Sequence, residues 1–499
     1  MQTSGVGFGT SGARGLVAAM SDEVCYAYTL AFLQHLRESN QLSGAARVAL
    51  AGDMRDSTGR ILEAVASAVA QFGLQPEYCG RIPSPAVASY GMAEGIPSLM
   101  VTGSHIPDDR NGIKFNTAKG EILKHDEMGI RAQQVTLPEH LFDTEGLFAA
   151  QRAPQLPAYD DSAFRAYVQR YVNFFPPRCL AATRIGLYQH SSVARQVFAE
   201  ILDALGAQVI KLGFSERFIP VDTEAIRPED VELAAQWSAE HSLDALISAD
   251  GDADRPLISD EHGQWLRGDV AGILCARYLG AEVVVTPVSS NTAVERCGWF
   301  KKVLRTRIGS PFVVASMQEA LFGPKATVVG YEANGGFLTG SDITLEGRTL
   351  TALPTRDAML VPLAILALAA KQRCRVSELV AILPPRFTAS NRVEHFPTQL
   401  SRAKLAELRG GDALQDKRAI ESVFHELFGE VASLDDTDGL RITFKNGEVV
   451  HLRPSGNAPE FRCYNEADSP QRAAEMNTRC MALIEAWKPR HPPSVPPRR

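Results

Sequence analysis

Residues 185–206 read IGLYQHSSVARQVFAEILDALG. The first five predict a buried strand. Ser191-Ser192 then offer hydroxyls to the free N–H groups of a helix, apolar residues recur at helical spacing to Leu205, and Gly206 supplies a left-handed stop. The pattern occurs twice more. Residues 47–51 (RVALA) predict a strand, followed by a helix over 59–72 and a stop at Gly73. Residues 283–287 (VVVTP) predict another, followed by Ser289-Ser290-Asn291 and a short helix ended by Gly298. Such alternation implies α/β layers with mixed, mostly parallel sheets. Recurrence every ~100–140 residues fits three similar domains better than a solenoid, whose periods are shorter.

The chain has 499 residues, enough for three or four domains at ~100–200 residues each. Prolines mark the expected boundaries: the APQLPA run at 153–158, Pro256, and Pro384-Pro385. These divide the chain into α/β domains over 1–153, 154–256 and 257–384. A smaller C-terminal α+β domain follows over 385–488, where strands are expected at 440–444 and 449–452. Five prolines among the last twelve residues predict a disordered tail over 489–499.

Composition narrows the function. With 45% hydrophobic and 22% charged residues the chain reads as a folded, soluble protein. Acidic residues outnumber basic ones 58 to 51, a net charge of −7, which argues against a sequence-independent grip on nucleic acid. A local basic pocket for a phosphorylated small molecule is compatible with that balance. No run of about 18 apolar residues predicts a membrane span, and the opening segment lacks the layout of a signal peptide. The eight cysteines are scattered without a C-x-x-C pair, which predicts free thiols in a reducing cytoplasm.

Four loops have compositions that suit chemistry better than packing. The first runs Thr102-Gly103-Ser104-His105-Ile106-Pro107 and continues to Asn111-Gly112-Ile113-Lys114. A strand over 99–102 places Ser104 just past its carboxyl end, where open α/β sheets bind ligands. A hydroxyl there is a candidate nucleophile or phosphate carrier, with Lys114 a candidate acid or base. A capped turn is the plainer alternative. The second loop, Asp250-Gly251-Asp252-Ala253-Asp254-Arg255-Pro256, follows a strand expected over 243–247. Three alternating carboxylates can converge on one hard cation, Mg²⁺ before Ca²⁺. An EF-hand over 250–261 fits the acidic spacing but ranks well behind, because its obligatory sixth-position glycine would be Arg255. An aspartyl-phosphate enzyme would need one of these carboxylates as nucleophile, and Ser104 competes for that role. Arg255 is placed to pair with the acids or to meet a phosphate.

The third loop, Glu332-Ala333-Asn334-Gly335-Gly336, follows a strand expected over 326–329 and offers a carboxylate and an amide to sugar hydroxyls. A plain Asn-Gly turn is the alternative. The fourth, Arg453-Pro454-Ser455-Gly456-Asn457-Ala458-Pro459-Glu460-Phe461-Arg462, combines two guanidinium groups, a hydroxyl, an amide and an open glycine N–H, the parts of a phosphate cradle. A further glycine-rich piece at residues 9–15 lacks the Lys-Ser/Thr ending of a nucleotide loop.

Taken in order, from FGTSGARG at 8–15 to RPSGNAPEFR at 453–462, these segments resemble the α-D-phosphohexomutase superfamily, in particular its bacterial phosphomannomutase/phosphoglucomutase branch. The resemblance implies four domains around a central cleft. It also implies interconversion of hexose 1-phosphates and 6-phosphates, mannose before glucose, through a hexose 1,6-bisphosphate that also serves as activator. By the same resemblance Ser104 is the phosphoserine, and Asp250, Asp252 and Asp254 with Ser104 hold Mg²⁺. Arg14, Lys114 and His105 act near the transferring phosphoryl group, and Arg255 lies close to the substrate. Glu332 and Asn334 read the sugar O3 and O4, while Arg453, Ser455, Gly456, Asn457 and Arg462 clamp the non-reacting phosphate. Ile106, Gly336 and Ser310 depart from the pattern, since relatives carry asparagine at the first position and some carry histidine at the other two. The second proton-transfer group is therefore unassigned. A phosphorylated hexose is the expected partner of a cytoplasmic monomer or weak homodimer, with no nucleic acid and no membrane. Phosphoglucosamine or phosphopentose mutase activity on the same scaffold, or a non-catalytic sugar-phosphate or metal binder, are the competing readings.

Overall fold

In a computed structural model that describes residues 4–9, 12–42, 44–149, 154–323, 325–455 and 459–488, the chain divides into two units. One comprises Met1–Thr286, Trp299–Leu304 and Gly309–Ile382; the other comprises Pro287–Gly298, Arg305–Ile308 and Leu383–Arg499. Among the described residues the first unit contains four sheets, three larger ones in chain order and a two-stranded ribbon of Ile343–Leu345 with Arg348–Leu350. The first has Arg47–Gly52 at its centre, parallel to Gln75–Tyr78 on one side and to Ser98–Val101 on the other. Arg110–Thr117, Gly12–Leu16 and Gly7–Phe8 extend it with antiparallel pairs. Helix Thr58–Gln71 lays Ile61, Leu62, Val65 and Val69 on this sheet, the one-face spacing that its sequence requires.

The second sheet carries the decisive segment of the sequence. Strand Arg184–His190 lies between parallel Gln208–Phe214 and Ala245–Ala249, and helix Ala194–Ala204 buries Val197, Phe198, Ile201 and Leu202. Gly73, Gly206 and Gly298 have φ of 90°, 90° and 66°, as their expected stop roles demand. Of the expected Ser191-Ser192 cap, Ser192 fulfils the role and Ser191 does not. Ser192 Oγ does accept from Ala194 N at 3.2 Å, but its proton goes to the Asp250 carbonyl at 2.7 Å, and Ser191 Oγ accepts from Ile219 N. Both hydroxyls are drawn to neighbouring loops whose backbone groups need partners.

Pro256, read as a boundary, instead opens strand Pro256–Ile258, which pairs antiparallel with Ala245–Ala249. An edge strand that asks little of its first N–H tolerates proline there. The acid-rich loop is therefore a hairpin within one sheet. Residues 150–153 of the expected linker and the tail from 489 lie outside the described residues. The third sheet runs Lys302–Thr306, Val283–Pro287, Val328–Tyr331, Phe337–Thr339. Helix Leu360–Gln372, apolar on nearly every side, is buried against Gly268–Tyr278.

The second unit holds a five-stranded antiparallel sheet in the order Phe387–Val393, Phe461–Ala467, Val449–Pro454, Leu440–Phe444, Val431–Asp435. Strict alternation in Leu440–Phe444 sends Leu440, Ile442 and Phe444 into a core with Phe424, Phe428 and Ile484 from the helices. All eight cysteines are free thiols, and no helix among the described residues is long and apolar enough to cross a membrane.

Candidate active site

Strand Ser98–Val101 delivers Ser104 on a loop bent into the left-handed region, with φ of 56° at Ser104. Two residues that sequence reasoning passed over hold that bend. Asp53, fully buried past the end of Arg47–Gly52, accepts from Thr102 Oγ1 at 2.8 Å, Gly103 N at 3.2 Å and Arg55 Nε at 3.1 Å. The buried Arg55 guanidinium donates to the carbonyls of Ser104 (2.9 Å), Ile106 (2.7 Å) and Pro107 (2.9 Å), and its charge lies 3.8 Å from the centre of the Phe218 ring. A Cβ at Gly103 would come within 2.6 Å of that guanidinium, so the loop is moulded on arginine and needs glycine there. The available signal was an Asp and an Arg two apart directly after a predicted strand.

The hairpin after Ala245–Ala249 brings the three aspartates against this serine. Ser104 Oγ donates to Asp250 Oδ2 at 2.7 Å, and ligand atoms of Asp250, Asp252 and Asp254 lie within 4.8 Å of one another. Gly251 makes the approach possible, since a Cβ there would meet the Ser104 carbonyl at 2.8 Å. The trio is neutralised from other elements. Lys114 Nζ donates to Asp252 Oδ2 (2.6 Å) and Asp254 Oδ2 (2.5 Å), Ser84 Oγ to Asp252 Oδ2 (2.6 Å), and Arg356 Nη2 to Asp254 Oδ2 (2.7 Å).

The charge states follow from this environment. Burial raises the Asp250 carboxyl well above its ordinary value, with Asp254 and Asp252 adding to the effect. Burial also opposes ionisation of Asp254, but Arg356, Lys114 and Arg255 outweigh it and hold that carboxyl low. Lys114 loses some affinity for its proton through burial and regains more from Asp252 and Asp254, so it stays charged. His105 Nδ1 lies 3.2 Å from Ser104 Oγ and its Nε2 lies 3.5 Å from Arg255 Nη1. Burial, then Arg255, push this imidazole down to about 3, so it is neutral near pH 7.

Among the described residues Asp252 Oδ1 and Asp254 Oδ1 are buried and accept no hydrogen bond, although Arg255 Nε stands 3.6 Å from the latter. Three converging carboxylates, two of them with an unpaired buried oxygen, and a serine oxygen on Asp250 form an all-oxygen donor set. That set fits a hard divalent cation.

The sugar-reading candidates sit at the end of Val328–Tyr331. Asn334 Oδ1 accepts from Gly336 N at 2.9 Å, and the Asn334 carbonyl accepts from Thr223 Oγ1 at 2.7 Å. Glu332, only 4% exposed, is raised by burial against the opposing charges of Arg356 and Arg255. Arg356 Nη1 lies 3.5 Å from Glu332 Oε1 while Nη2 binds Asp254, so one guanidinium joins the acid loop to this loop. No motif marks Arg356 in the sequence. It also explains the missing side chain at Gly336, where a Cβ would lie 2.6 Å from Arg356 Cδ. Ser310 Oγ turns to Glu121 Oε2 at 3.5 Å. Burial, then Arg255, lower the Arg14 guanidinium on strand Gly12–Leu16, with Asp252 and Asp254 acting the other way, which places it in the same charge cluster.

In the second unit Arg453 and Arg462 face each other across paired strands. Arg453 Nε donates to Asp438 Oδ2 at 2.9 Å and Arg462 Nη2 to Glu460 Oε2 at 3.1 Å. Ser455 N closes the turn on the Glu460 carbonyl at 2.9 Å, while Gly456 and Asn457 lie outside the described residues. Ser104, His105, Lys114, the three aspartates, Arg255, Arg356 and Glu332 are thus joined by direct contacts in the first unit, and the arginine turn belongs to the second.

Comparison with known proteins agrees along the whole chain. Family models for phosphoglucomutase/phosphomannomutase match in four parts: α/β/α domain I at residues 5–136, domain II at 165–263, domain III at 267–387 and the C-terminal domain at 400–483. A phosphomannomutase of Sinorhizobium fredii is 42% identical over 479 residues, covering 96% of this chain and 98% of that protein. One of Salmonella muenchen is 42% identical over 483 residues, covering 97% and 96%. A phosphoglucomutase/phosphomannomutase family structure from Burkholderia thailandensis shares the fold, with a TM-score of 0.72 at 18% identity over 97% of this chain and 98% of that one.

Proposed function

This chain belongs to the phosphoglucomutase/phosphomannomutase family, and on that premise we propose that it is a phosphohexomutase using Ser104 as its phosphoryl carrier. It interconverts hexose 1-phosphate and hexose 6-phosphate, mannose before glucose, in the cytoplasm. The preference for mannose is supported by the names of the two relatives at 42% identity. The carrier assignment rests on one observation: Ser104 Oγ lies 2.7 Å from Asp250 Oδ2, beside buried, unpaired oxygens of Asp252 and Asp254.

Phosphorylated Ser104 transfers its group to the free hydroxyl of a bound hexose monophosphate. The Oγ–P bond breaks, a P–O bond to the sugar forms, and the hydroxyl proton leaves to a base. After the hexose 1,6-bisphosphate turns over, its other phosphoryl group returns to Ser104 Oγ, and the same bisphosphate primes an unphosphorylated chain. His105 is neutral and 3.2 Å from Ser104 Oγ, able to accept a proton there. Lys114, kept charged by two aspartates, is the candidate acid. Arg14 and Arg255 offer cationic contacts to the transferring group, whose transition state needs positioning and charge stabilisation above all. Mg²⁺ held by Asp250, Asp252, Asp254 and the Ser104 side chain would neutralise the roughly −2 charge that phosphorylation brings among three carboxylates. Glu332 and Asn334 read O3 and O4, which exchange places when the sugar turns. Arg453, Ser455, Gly456, Asn457 and Arg462 hold the distal phosphate.

The test is Ser104→Ala assayed on mannose, glucose and glucosamine 1-phosphates with a trace of bisphosphate, alongside intact mass of both proteins. Turnover should vanish, and only the parent chain should take up one phosphoryl group from bisphosphate. Substantial turnover by the variant would overturn the carrier role.

A further inference from the structure

The sheet of the second unit buries one face under its helices; the other face is polar. On strand Leu440–Phe444, Arg441 and Thr443 point away from the core. There they line a cavity of about 270 Å³, walled also by Asp435 and by Glu295, Arg296 and Arg305 from the two short segments that join this unit. No residue of the candidate active site lines it.

The three arginines differ in how they are satisfied. Arg305 is locked: Glu295 accepts from its Nε and its Nη2, both at 2.8 Å, and Nη1 donates to the carbonyls of Pro287 (2.8 Å) and Ser290 (2.9 Å). Arg296 reaches Asp468 at 3.9 Å. Arg441 is half-buried, and among the described residues its guanidinium makes one long hydrogen bond, 3.4 Å to Thr443 Oγ1, and no ion pair within 4.0 Å. Its cross-strand neighbour Asp435 has turned Oδ1 to Thr437 N at 2.8 Å. Burial and the nearby charge of Arg305 make the Arg441 cation less comfortable than it is in water, with Glu466, Glu295 and Asp435 compensating in part from a distance. A guanidinium fork facing a cavity with most of its donors unused is completed by an oxyanion.

The dimensions refine the ligand. A cavity of about 270 Å³ is too roomy for a lone phosphate and just below the range usual for small-molecule sites. Asp435, beside Arg441 on the same face of the sheet, can accept hydroxyl protons. We propose that this cavity binds a small phosphomonoester with a hydroxylated body, its phosphate on Arg441 and Thr443 and its hydroxyls turned to Asp435. The site does not depend on the mutase reading, because none of its residues takes part in that chemistry.

Glycerol 3-phosphate, inorganic phosphate, sulfate and glycerol are titrated calorimetrically into the full chain and into R441Q, T443V and R453A. Glycerol 3-phosphate should bind at a site that R441Q weakens about tenfold or more and T443V about threefold, with R453A leaving that site unchanged. Glycerol should not bind. Unaltered binding in a folded R441Q overturns the proposal, as does loss of the site in R453A alone. If R441Q does not fold, T443V decides, and unchanged affinity there overturns it. Sulfate binding as tightly as glycerol 3-phosphate would reveal an adventitious anion patch and overturn it too.

Discussion

Replacing Arg356 by methionine removes a side chain that touches both Asp254, at 2.7 Å, and Glu332, at 3.5 Å. At an effective dielectric near 20 these contacts correspond to gross attractions of about 6 and 5 kcal/mol. Desolvation of three buried groups offsets most of that, and breaking a buried pair typically costs ~3–5 kcal/mol. Asp254 keeps Lys114 at 2.5 Å, so the loss falls mainly on Glu332, which is 4% exposed and already raised by burial. We therefore expect the low end, about 3 kcal/mol, seen by scanning calorimetry as a drop of roughly 4 °C in the transition of the large first unit. Glu332→Gln in the R356M background removes the stranded charge and should return ~1–2 kcal/mol, whereas the same change alone should destabilise. Strictly additive effects of E332Q and R356M would refute the coupling, and so would a midpoint shift under ~2 °C for R356M.

Gly251→Ala puts a Cβ 2.8 Å from the Ser104 carbonyl and must part the two loops. Since a displacement of about 1 Å can cost ~10²-fold in rate, kcat should fall by that order while the thermal midpoint moves little; an unchanged kcat would contradict the required contact. Millimolar Mg²⁺ should raise the midpoint of the parent chain and abolish inhibition by chelator, whereas Asp252→Asn should show a much smaller midpoint rise; equal rises would remove Asp252 from the cation site. His451 donates from Nε2 to the Asp438 carbonyl at 2.6 Å while its buried Nδ1 has no partner among the described residues, and burial pushes its pKa down to about 4. The unfolded chain, with histidine near 6.5, binds the proton more readily between these values, so stability should rise with pH from about 4 to 6.5, by up to ~3 kcal/mol. His451→Gln should remove that contribution and reduce the slope, the remainder coming from histidines such as His105 that burial also holds low, as chemical denaturation across the range would measure.

Local patterning made much of this molecule legible. Strands at 47–51, 185–189 and 283–287 stand within a residue or two of Arg47–Gly52, Arg184–His190 and Val283–Pro287, because apolar runs bounded by turn residues have few other ways to bury themselves. Other strands slid along the chain. The run expected at 243–247 is Ala245–Ala249, and that at 326–329 is Val328–Tyr331, since hydrogen-bond register with a neighbouring strand sets the ends. Ser191 and Ser192 both look like helix caps in one dimension; in three, Ser192 caps the helix and also binds an adjacent loop, while Ser191 serves a loop.

From its sequence alone this protein declared its α/β alternation, its serine and aspartate loops and the types of chemistry they could support, because those signals lie within a few consecutive residues. Folding decided which groups hold the loops in place. Asp53 and Arg55 shape the serine turn from a neighbouring strand end, and Lys114 balances aspartates 138 and 140 positions away. Arg356 reaches Asp254 across 102 positions and fills the space above Gly336. Coulomb energy depends on distance through space and on the burial around each charge, and neither quantity is written in the spacing of residues along the chain.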